Sequence, residues 1–450
     1  MLECLDPKKA GNVRATTIHR PLREILQAHM HAARMRSDEI FAQLKDTALY
    51  ERPIAERHRL IFYLGHLETF EWNLICSRQF GMKSQSPEFD RLFAFGIDPT
   101  NGNLPGDKPH DWPAESEVRA YNQAVRQGVD QCLGLGSDES DAQLFWVAIE
   151  HRLMHAETLS YLLHALPFSM KKIPAGLPVT EADFDPIKAR MAYIPEGTAT
   201  LGMKREPFAF GWDNEFDAHT VRVPAFRIGV HKVTNAEYLD FVRAGGYRER
   251  SLWDASSWLW KESAGIHHPK FWLPIDGDWT IRTMFADVPF QANWPVYVSH
   301  AEAEAYCRWK GCVLPTEAQY HRAAFATPDD GERPYPWGNA SPQPQFGNFD
   351  FRHWNPTAVD AHPRGDSAFG VSGLAGNGWE WTSTVFSPFA GFEPFPFYPG
   401  YSADFFDGGH FVMKGGSPRT ASLLLRRSFR NWFQPRYPHI YASFRCVQRN

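Results

Sequence analysis

Apolar residues in the first third of the chain recur at the three-to-four-residue spacing of amphipathic helices. Four segments between residues 19 and 166 show this spacing: 21–44, 58–80, 118–133 and 141–166. Four helices of this kind predict a four-helix bundle. The stretch between the second and third segments, residues 83–114, is rich in Pro, Gly and Asp, and we expect it to be a long loop that covers one end of the bundle.

The pattern changes after a proline-rich stretch, LPFSMKKIPAGLPVTEADFDP, which has no sustained period and is typical of a linker. Short strand-like runs follow, such as MAYIPEG, TATLGM and HTVRVPAFRIGV. Helices are expected at TNAEYLDFVRAGG and HAEAEAYCRWKG, the second followed by LPTEAQYHRAAFA. A chain of 450 residues exceeds one ordinary core. We therefore predict two domains, a helical bundle over 1–186 and an α+β domain with long loops over 187–450.

Charge and composition exclude several classes of partner. The formal net charge is −5, the isoelectric point is near 6.4 and no Lys/Arg cluster occurs, so neither nucleic acid nor an anionic membrane is expected to bind. No apolar run has the length of a signal peptide or a membrane span. These features predict a cytoplasmic protein. We also expect a monomer or small homo-oligomer that acts on small molecules.

The cysteines and aromatic residues refine this picture. The six cysteines are sparse and include no CxxC pair, so the sequence signals neither a disulfide framework nor a thiolate zinc site. Aromatic residues make up 14% of the chain, and most of the 16 Trp and 34 Phe follow residue 200. The second domain is therefore expected to be an irregular fold held together by ring packing.

Three histidines in the helical part form a candidate metal site. His151 and His155 are four residues apart in a helical segment, so both imidazoles project from one face. His66, in another amphipathic segment, would complete the set across the bundle. Three neutral nitrogen ligands on one face leave positions open on an octahedral iron for a substrate, a thiol and dioxygen.

Other interpretations of these histidines remain open. A chain with 19 histidines will contain an HxxxH pair by chance, and His58 and His164 are rival candidates in the same segments. Zinc with three histidines and a water is a hydrolytic site, in which Glu150 could act as the general base. Glu157 could orient a ligand histidine by accepting a hydrogen bond from it.

The second half resembles the formylglycine-generating-enzyme, or sulfatase-modifying-factor, fold, which is related to C-type lectins. Six blocks occur in the family's order: MAYIPEGTATLGM, VTNAEYLDFV, PVYVSHAEAEAYCRWKGCVLPTEAQYHRAA, GNGWEWTST, KGGSP and ASFRCV. That enzyme carries copper-binding cysteines near the end of its domain. The corresponding stretch here, GGSPRTASLLLRRSFRNW, has none, so formylglycine generation is not expected.

The first half resembles the DinB-like helical bundle through YLGHLETFEWN and EHRLMHAETL, which contain the three candidate histidines. A DinB-like bundle ahead of this second domain is the arrangement of the ergothioneine-biosynthesis sulfoxide synthases. The resemblance implies iron(II) held by His66, His151 and His155, and dioxygen as co-substrate. It also implies a trimethylhistidine (hercynine) substrate, whose imidazole C2 receives a cysteine-derived sulfur.

The same resemblance assigns further residues. PFPFYPGYS is similar to a family segment with two tyrosines, which makes Tyr398 the catalytic phenol near dioxygen and Tyr401 a neighbour of the substrate imidazole. SFRNWFQPRYP is similar to the segment in which Asn431 and Trp432 hold the substrate carboxylate. Phe433 could then face the trimethylammonium group. Without the resemblance, both segments would be interpreted as ring packing and a core strand.

Three positions depart from the actinobacterial members of the family. Phe433 and Tyr437 stand where those members have an acid and an arginine for γ-glutamylcysteine, and Met154 replaces a glutamine beside the substrate ring. These changes suggest free cysteine bound by other residues, or the selenosugar used by the related selenoneine synthases. Arg430 and Arg436 remain candidate contacts for the donor.

Two other classes of protein stay open. A DinB-type zinc or nickel thiol transferase would need neither dioxygen nor Tyr398. A ligand-binding protein of lectin-like fold could hold a quaternary ammonium compound in an aromatic pocket without chemistry.

Overall fold

The computed structural model divides into two compact units. It describes residues 20–95, 104–136, 139–177, 180–183, 185–207 and 209–448. The first unit comprises the described residues of Met1–Asp38, Tyr50–Arg152 and Pro207–Phe210. The second comprises those of Glu39–Leu49, Leu153–Glu206 and Gly211–Asn450.

Five α-helices occur among the described residues up to 165. They are α1 (Arg20–Phe41), α2 (Leu60–Glu71), α3 (Pro87–Phe95), α4 (Glu115–Leu135) and α5 (Glu139–Ala165). The four predicted segments are confirmed as α1, α2, α4 and α5. Helix α2 continues into a π-helical stretch, Trp72–Gln79. Helix α5 is continuous, but the division between the two units falls within it, between Arg152 and Leu153.

The prediction that 83–114 is one long loop was wrong, because Pro87–Phe95 form helix α3. Residues 96–103 of this stretch lie outside the described part of the chain. Pro87 occupies the first turn, where its missing N–H does no harm, and Glu88 and Asp90 follow at the positive end of the helix dipole. The Phe93 ring is fully buried. This buried apolar side makes the short segment a helix despite its Pro- and Gly-rich surroundings.

In the described part of the second unit, four α-helices follow α5: α6 (Asn235–Arg243), α7 (Ala255–Ser263), α8 (His300–Lys310) and α9 (Glu317–Phe325). The predicted helices α6, α8 and α9 begin at Thr234, Ser299 and Thr316, whose hydroxyls accept from the N–H of a Glu or Gln three residues on. This capping box satisfies two backbone donors at each helix start. Helix α7, which begins after Asp254, was not predicted.

Short strands build four sheets in the described part of the second unit. The strands are β1 (Met191–Ile194), β2 (Gly197–Leu201), β3 (His219–Val223), β4 (Phe226–Gly229), β5 (Trp272–Ile275), β6 (Asp278–Arg282), β7 (Asp287–Pro289), β8 (Cys312–Val313), β9 (Trp379–Val385), β10 (Phe411–Lys414), β11 (Asn431–Phe433), β12 (Ala442–Ser443) and β13 (Val447–Gln448). Two sheets have four strands each, in the orders β1-β4-β13-β8 and β11-β10-β9-β12. The other two sheets are the two-stranded β2-β3 and the three-stranded β5-β6-β7. Pairing is antiparallel except between β12 and β9.

The core of the second unit lies between the first sheet and α9. Ile194, Ile228 and Val447 contribute from three neighbouring strands, and Ala323 and Phe325 contribute from the helix. Among the residues that the structure describes, no helix has the length and apolarity to cross a membrane.

Gly65 permits the close packing of α2 on α3, and we predict that Gly65→Ala destabilises the chain. An added Cβ would lie 2.5 Å from the Phe93 ring, so the helices must separate. Overpacking of this kind costs about 1–3 kcal/mol of unfolding free energy, measurable by urea denaturation. Gly134→Ala in α4 is the control, because nothing lies within 4 Å of its Cβ position. That change should stabilise by roughly 0.5–1 kcal/mol, and equal effects of the two substitutions would contradict the account.

Candidate metal centre

The structure brings the three predicted histidines together. His66 projects from α2, and His151 and His155 lie one turn apart on α5. Each offers one ring nitrogen, and the three nitrogens lie within 4.8 Å of one another. The ring centroids of His66 and His151 are 5.3 Å apart. Three imidazoles at this spacing can share one metal ion.

A hydrogen bond sets the tautomer of His66. Its Nδ1 lies 2.7 Å from the carbonyl oxygen of Phe93, and only a protonated Nδ1 can donate to that oxygen. Burial lowers the pKa of His66 to about 4, outweighing the effect of this hydrogen bond, so the ring is neutral at physiological pH. The lone pair of the neutral ring is therefore on Nε2, the nitrogen that could bind a metal. The helix that the sequence did not predict, α3, supplies the orienting carbonyl.

Two phenylalanines stack on the candidate ligands. The Phe62 ring stacks on His66 with centroids 4.8 Å apart, and Phe70 stacks on His151 with centroids 3.5 Å apart. Both project from the helix that carries His66. These contacts restrict rotation of the imidazoles, so that their orientation is fixed by packing before any ion binds.

A buried ion-pair network joins the two helices that carry the histidines. Arg152, next to His151, donates from Nε to Glu71 Oε1 at 2.6 Å and from Nη2 to Glu68 Oε2 at 2.7 Å. Arg34 and Arg126 add further pairs to Glu71 and Glu68. All three central side chains are 1% exposed. The sequence signal was two acids three residues apart in an otherwise apolar helix, which the sequence analysis did not use.

Glu157 lies two residues beyond His155 and accepts three hydrogen bonds from residues that, like Glu157 itself, belong to the second unit. The donors are Trp379 Nε1 at 2.8 Å, Ser417 Oγ at 2.5 Å and Thr420 Oγ1 at 2.7 Å. Burial raises the pKa of its carboxyl. None of these donors is a histidine, so the suggestion that Glu157 orients a ligand was wrong. It fastens the 417–420 turn to α5.

The two predicted tyrosines lie together in the second unit. Tyr401 is buried and stacks on Trp212 with centroids 3.9 Å apart. Its hydroxyl lies 3.5 Å from the sulfur of Met154, the residue before His155. The centroid of the Tyr398 ring is 5.5 Å from that of Tyr401. The loop that carries both tyrosines therefore reaches α5 beside a candidate metal ligand.

Burial raises the pKa of Tyr398 to about 12, with smaller contributions from the carboxyls of Asp213 and Asp404. Its phenol therefore keeps its proton at neutral pH. Asp213 also fixes the loop, because it accepts hydrogen bonds from Ser402 Oγ and from the backbone N–H of Phe395. Burial raises the pKa of Asp213 itself. Sequence reasoning missed this residue, although an acid beside a tryptophan in GWDNE was visible.

The predicted carboxylate-binding residues form β11, which pairs with β10. The Trp432 ring stacks on Phe386 at 4.1 Å and meets Tyr401 edge-on at 5.4 Å. Asn431 Oδ1 accepts from the backbone N–H of Trp432 at 2.8 Å, which directs the amide along the strand. The structure thus brings Trp432 and the two tyrosines into one aromatic cluster.

The residues predicted to contact the sulfur or selenium donor differ in their exposure and in the partners that they already bind. The rings of Phe433 and Tyr437 stack on each other with centroids 5.4 Å apart. Arg430 is 2% exposed and binds both oxygens of Glu317 and the carbonyl of Ser387. A contact between Arg430 and a substrate would therefore require these bonds to break. Arg436 is exposed.

Comparisons with known proteins first define the class. Residues 179–450 match the family described as the sulfatase-modifying factor enzyme 1-like domain. Together with the preceding helices, this match confirms the predicted order of a helical part followed by a C-type-lectin-like domain.

Relatives that are similar over most of the chain then define the family. Hercynine oxygenase of Mycolicibacterium smegmatis is 33% identical over 430 residues, which cover 91% of this chain and 98% of that protein. Hercynine oxygenase of Mycolicibacterium thermoresistibile is 36% identical over 343 residues, 74% of each chain. Ergothioneine biosynthesis protein 1 of Neurospora crassa is 28% identical, over 90% of this chain and 55% of that protein. The chain belongs to the hercynine oxygenase family of oxidoreductases.

We predict that Arg152→Met destabilises the fold strongly. Loss of the guanidinium leaves Glu68 and Glu71 buried with fewer partners, and breaking a buried pair costs about 3 kcal/mol or more. Chemical denaturation of the metal-free chain measures this directly. Arg119→Met is the control, since it removes an exposed pair with Glu115 and should cost at most about 0.5 kcal/mol. If both variants unfolded at the same denaturant concentration, the network would not hold α2 to α5.

Proposed function

We propose that the chain is an iron(II)- and dioxygen-dependent enzyme that joins the imidazole C2 of hercynine to the sulfur of a thiol donor, cysteine or γ-glutamylcysteine. The observation that carries the proposal is the convergence of His66, His151 and His155, with their ring nitrogens within 4.8 Å, in a chain of this family. We also propose that residues 1–186 form a DinB-like bundle and that residues 187–450 form the sulfatase-modifying-factor domain.

The three histidine nitrogens are suitable ligands for iron(II). Three neutral imidazoles bind divalent iron well and leave other coordination positions for exchangeable ligands. When bound, the metal would hold hercynine, the thiol and dioxygen in one place and exchange electrons with them, replacing a collision of three molecules by a positioned reaction. The orientation of His66 by Phe93 and the packing of Phe70 on His151 prepare the imidazoles for this role.

Tyr398 is the proposed proton donor. A phenol whose pKa is about 12 carries its proton at Oη throughout the neutral range and can release it to a more basic oxygen as the reaction proceeds. Asp213 holds the ends of the loop at Phe395 and Ser402, so the phenol is presented from a fixed backbone. Tyr401, held by Trp212 and Met154, is proposed to flank the substrate imidazole.

The substrate's charged ends are assigned to β11. The side-chain amide of Asn431 and the indole N–H of Trp432 can donate to a carboxylate. The trimethylammonium group has no hydrogen to donate, so an aromatic face such as that of Phe433 is the favourable surface for it. Hercynine carries both groups on one carbon, and Asn431 and Phe433, two residues apart on β11, project from the same face of the strand.

A second candidate function is the joining of hercynine to a selenosugar through a carbon–selenium bond. The observation that favours it is the stacked pair of Phe433 and Tyr437, at the positions where related enzymes hold a charged thiol. A ring face suits the C–H surface of a sugar and offers neither a hydrogen-bond acceptor for an ammonium nor a donor for a carboxylate. The engagement of Arg430 by Glu317 points the same way, and leaves Arg436 as the exposed contact.

We predict oxygen-dependent coupling when the iron(II)-loaded chain is given hercynine with cysteine, γ-glutamylcysteine or a selenosugar, and products are identified by mass. Tyr398→Phe removes the proposed proton donor and should lower the coupling rate about 100-fold or more. Iron content should not change. The control is Tyr193→Phe, because Tyr193 is exposed on β1 and should not affect turnover.

The alternatives are separated by comparing turnover with the different donors, and by comparing turnover with and without oxygen. Coupling with the selenosugar alone would establish the second candidate. Equal activity of Tyr398→Phe and wild type would remove the proposed role of the phenol. A thiol transfer that proceeds without oxygen, with zinc or nickel bound, would replace the proposal by the transferase, and hercynine binding without product would leave a binding protein.

A further inference from the structure

Three cysteines that are distant in sequence meet at one place in the second unit. Cys307 lies in the last turns of α8, Cys312 opens β8, and Cys446 directly precedes β13. Gly311 adopts a left-handed conformation that ends α8 and turns the chain into β8. Strands β8 and β13 are antiparallel neighbours, with Gln448 opposite Cys312. Backbone pairing and a helix end therefore set the positions of all three thiols.

The cluster has the size of a metal site. Its three sulfurs lie within 4.8 Å of one another, and those of Cys312 and Cys446 are 2.6 Å apart. Metal–thiolate bonds of about 2.3 Å place neighbouring sulfurs roughly 3.8 Å apart around one ion. The Cys312 and Cys446 sulfurs would have to separate by about 1 Å, which a rotation about one side-chain bond can supply.

A cavity gives access to the cluster. A space of about 420 Å³ is lined by Cys312 and Cys446, together with His231, Glu237 and Lys310. Cys307 is buried, and Cys446 is partly exposed. The cavity is large enough to admit a hydrated ion, and its polar side chains can assist the loss of water from that ion.

The other described cysteine pair lacks this arrangement. The sulfurs of Cys76 and Cys132 lie 3.7 Å apart, with no third thiol in the group. Burial raises the pKa of both of these thiols.

We propose that Cys307, Cys312 and Cys446 bind one thiophilic metal ion, zinc(II) or copper(I), separately from the histidine centre. Sulfur ligands select these ions over iron(II), which the imidazole set accommodates. Bound metal would cross-link the end of α8 to β8 and β13, and so would stabilise the sheet to which β1 and β4 also belong. The absence of a CxxC pair in the sequence explains why spacing alone did not indicate this site.

The test uses the full-length, reduced chain with cobalt(II) as an optical probe. Thiolate ligands give an intense near-ultraviolet charge-transfer absorption that imidazole ligands do not give, so the histidine centre does not interfere. We expect this absorption to saturate at one cobalt per chain and to disappear in Cys312→Ser. Cys76→Ser is the matched control and should retain it, since Cys76 is a buried cysteine outside the cluster.

Two further measurements complete the test. Zinc(II) or copper(I) should displace the cobalt, and the ion that does so at the lower concentration is the preferred occupant. The same ion should raise the unfolding temperature of the wild type but not of Cys446→Ser, a second variant at the partly exposed position. No thiolate absorption in the folded wild type, or displacement by neither ion, would overturn the proposal. A disulfide between Cys312 and Cys446 that reforms under reducing conditions would also overturn it.

Discussion

The candidate centre depends on the buried ion pairs between α2 and α5. One helix carries His66 and the other carries His151, so a sliding or rotation of either by a fraction of a turn would separate their nitrogens. Arg152 prevents this by binding Glu68 and Glu71, one turn apart on the opposite helix, through different edges of its guanidinium. A buried ion pair contributes little net stability compared with apolar packing, but it penalises every other register, because each would leave charge unpaired.

The part of α5 that belongs to the second unit makes its own contacts there. Past Arg152 the same helix presents Met154 to Tyr401 and Glu157 to the turn that contains Ser417. The loop with both tyrosines is held at its two ends by Asp213, and next to Ser402 by the stacking of Tyr401 on Trp212. Reactive groups on a loop are thereby positioned by contacts with buried, rigid partners, which is the condition for a proton donor to act at a defined place.

Local sequence signals predicted the elements that depend on local physics. The amphipathic periods located α1, α2, α4 and α5, and the residues Thr234, Ser299 and Thr316 marked three helix starts through their capping hydroxyls. The HxxxH spacing likewise placed His151 and His155 on one face of α5. Resemblance to known sequences was needed to select His66 over the rivals His58 and His164 and to add the tyrosine segment, because a partner across a bundle leaves no periodic pattern in the sequence.

The features that sequence did not predict depend on contacts distant along the chain. Helix α3 is short and is stabilised by burial of Phe93 rather than by a repeating pattern. The role of Asp213 follows from a loop almost 190 residues later, with which it shares a hydrogen bond. The meeting of Cys312 and Cys446 follows from the pairing of β8 with β13, two strands that are distant along the chain. Such contacts are properties of the fold, and no spacing rule contains them.

The most direct test of the central claim is X-ray absorption at the iron edge of the chain loaded with one equivalent of iron(II). The account predicts a first shell of light atoms with the multiple-scattering signature of three imidazoles, reduced in His66→Ala. A shell dominated by sulfur at about 2.3 Å would contradict it, because that distance is typical of metal–thiolate bonds and would place the iron at cysteines instead of at the histidines of α2 and α5.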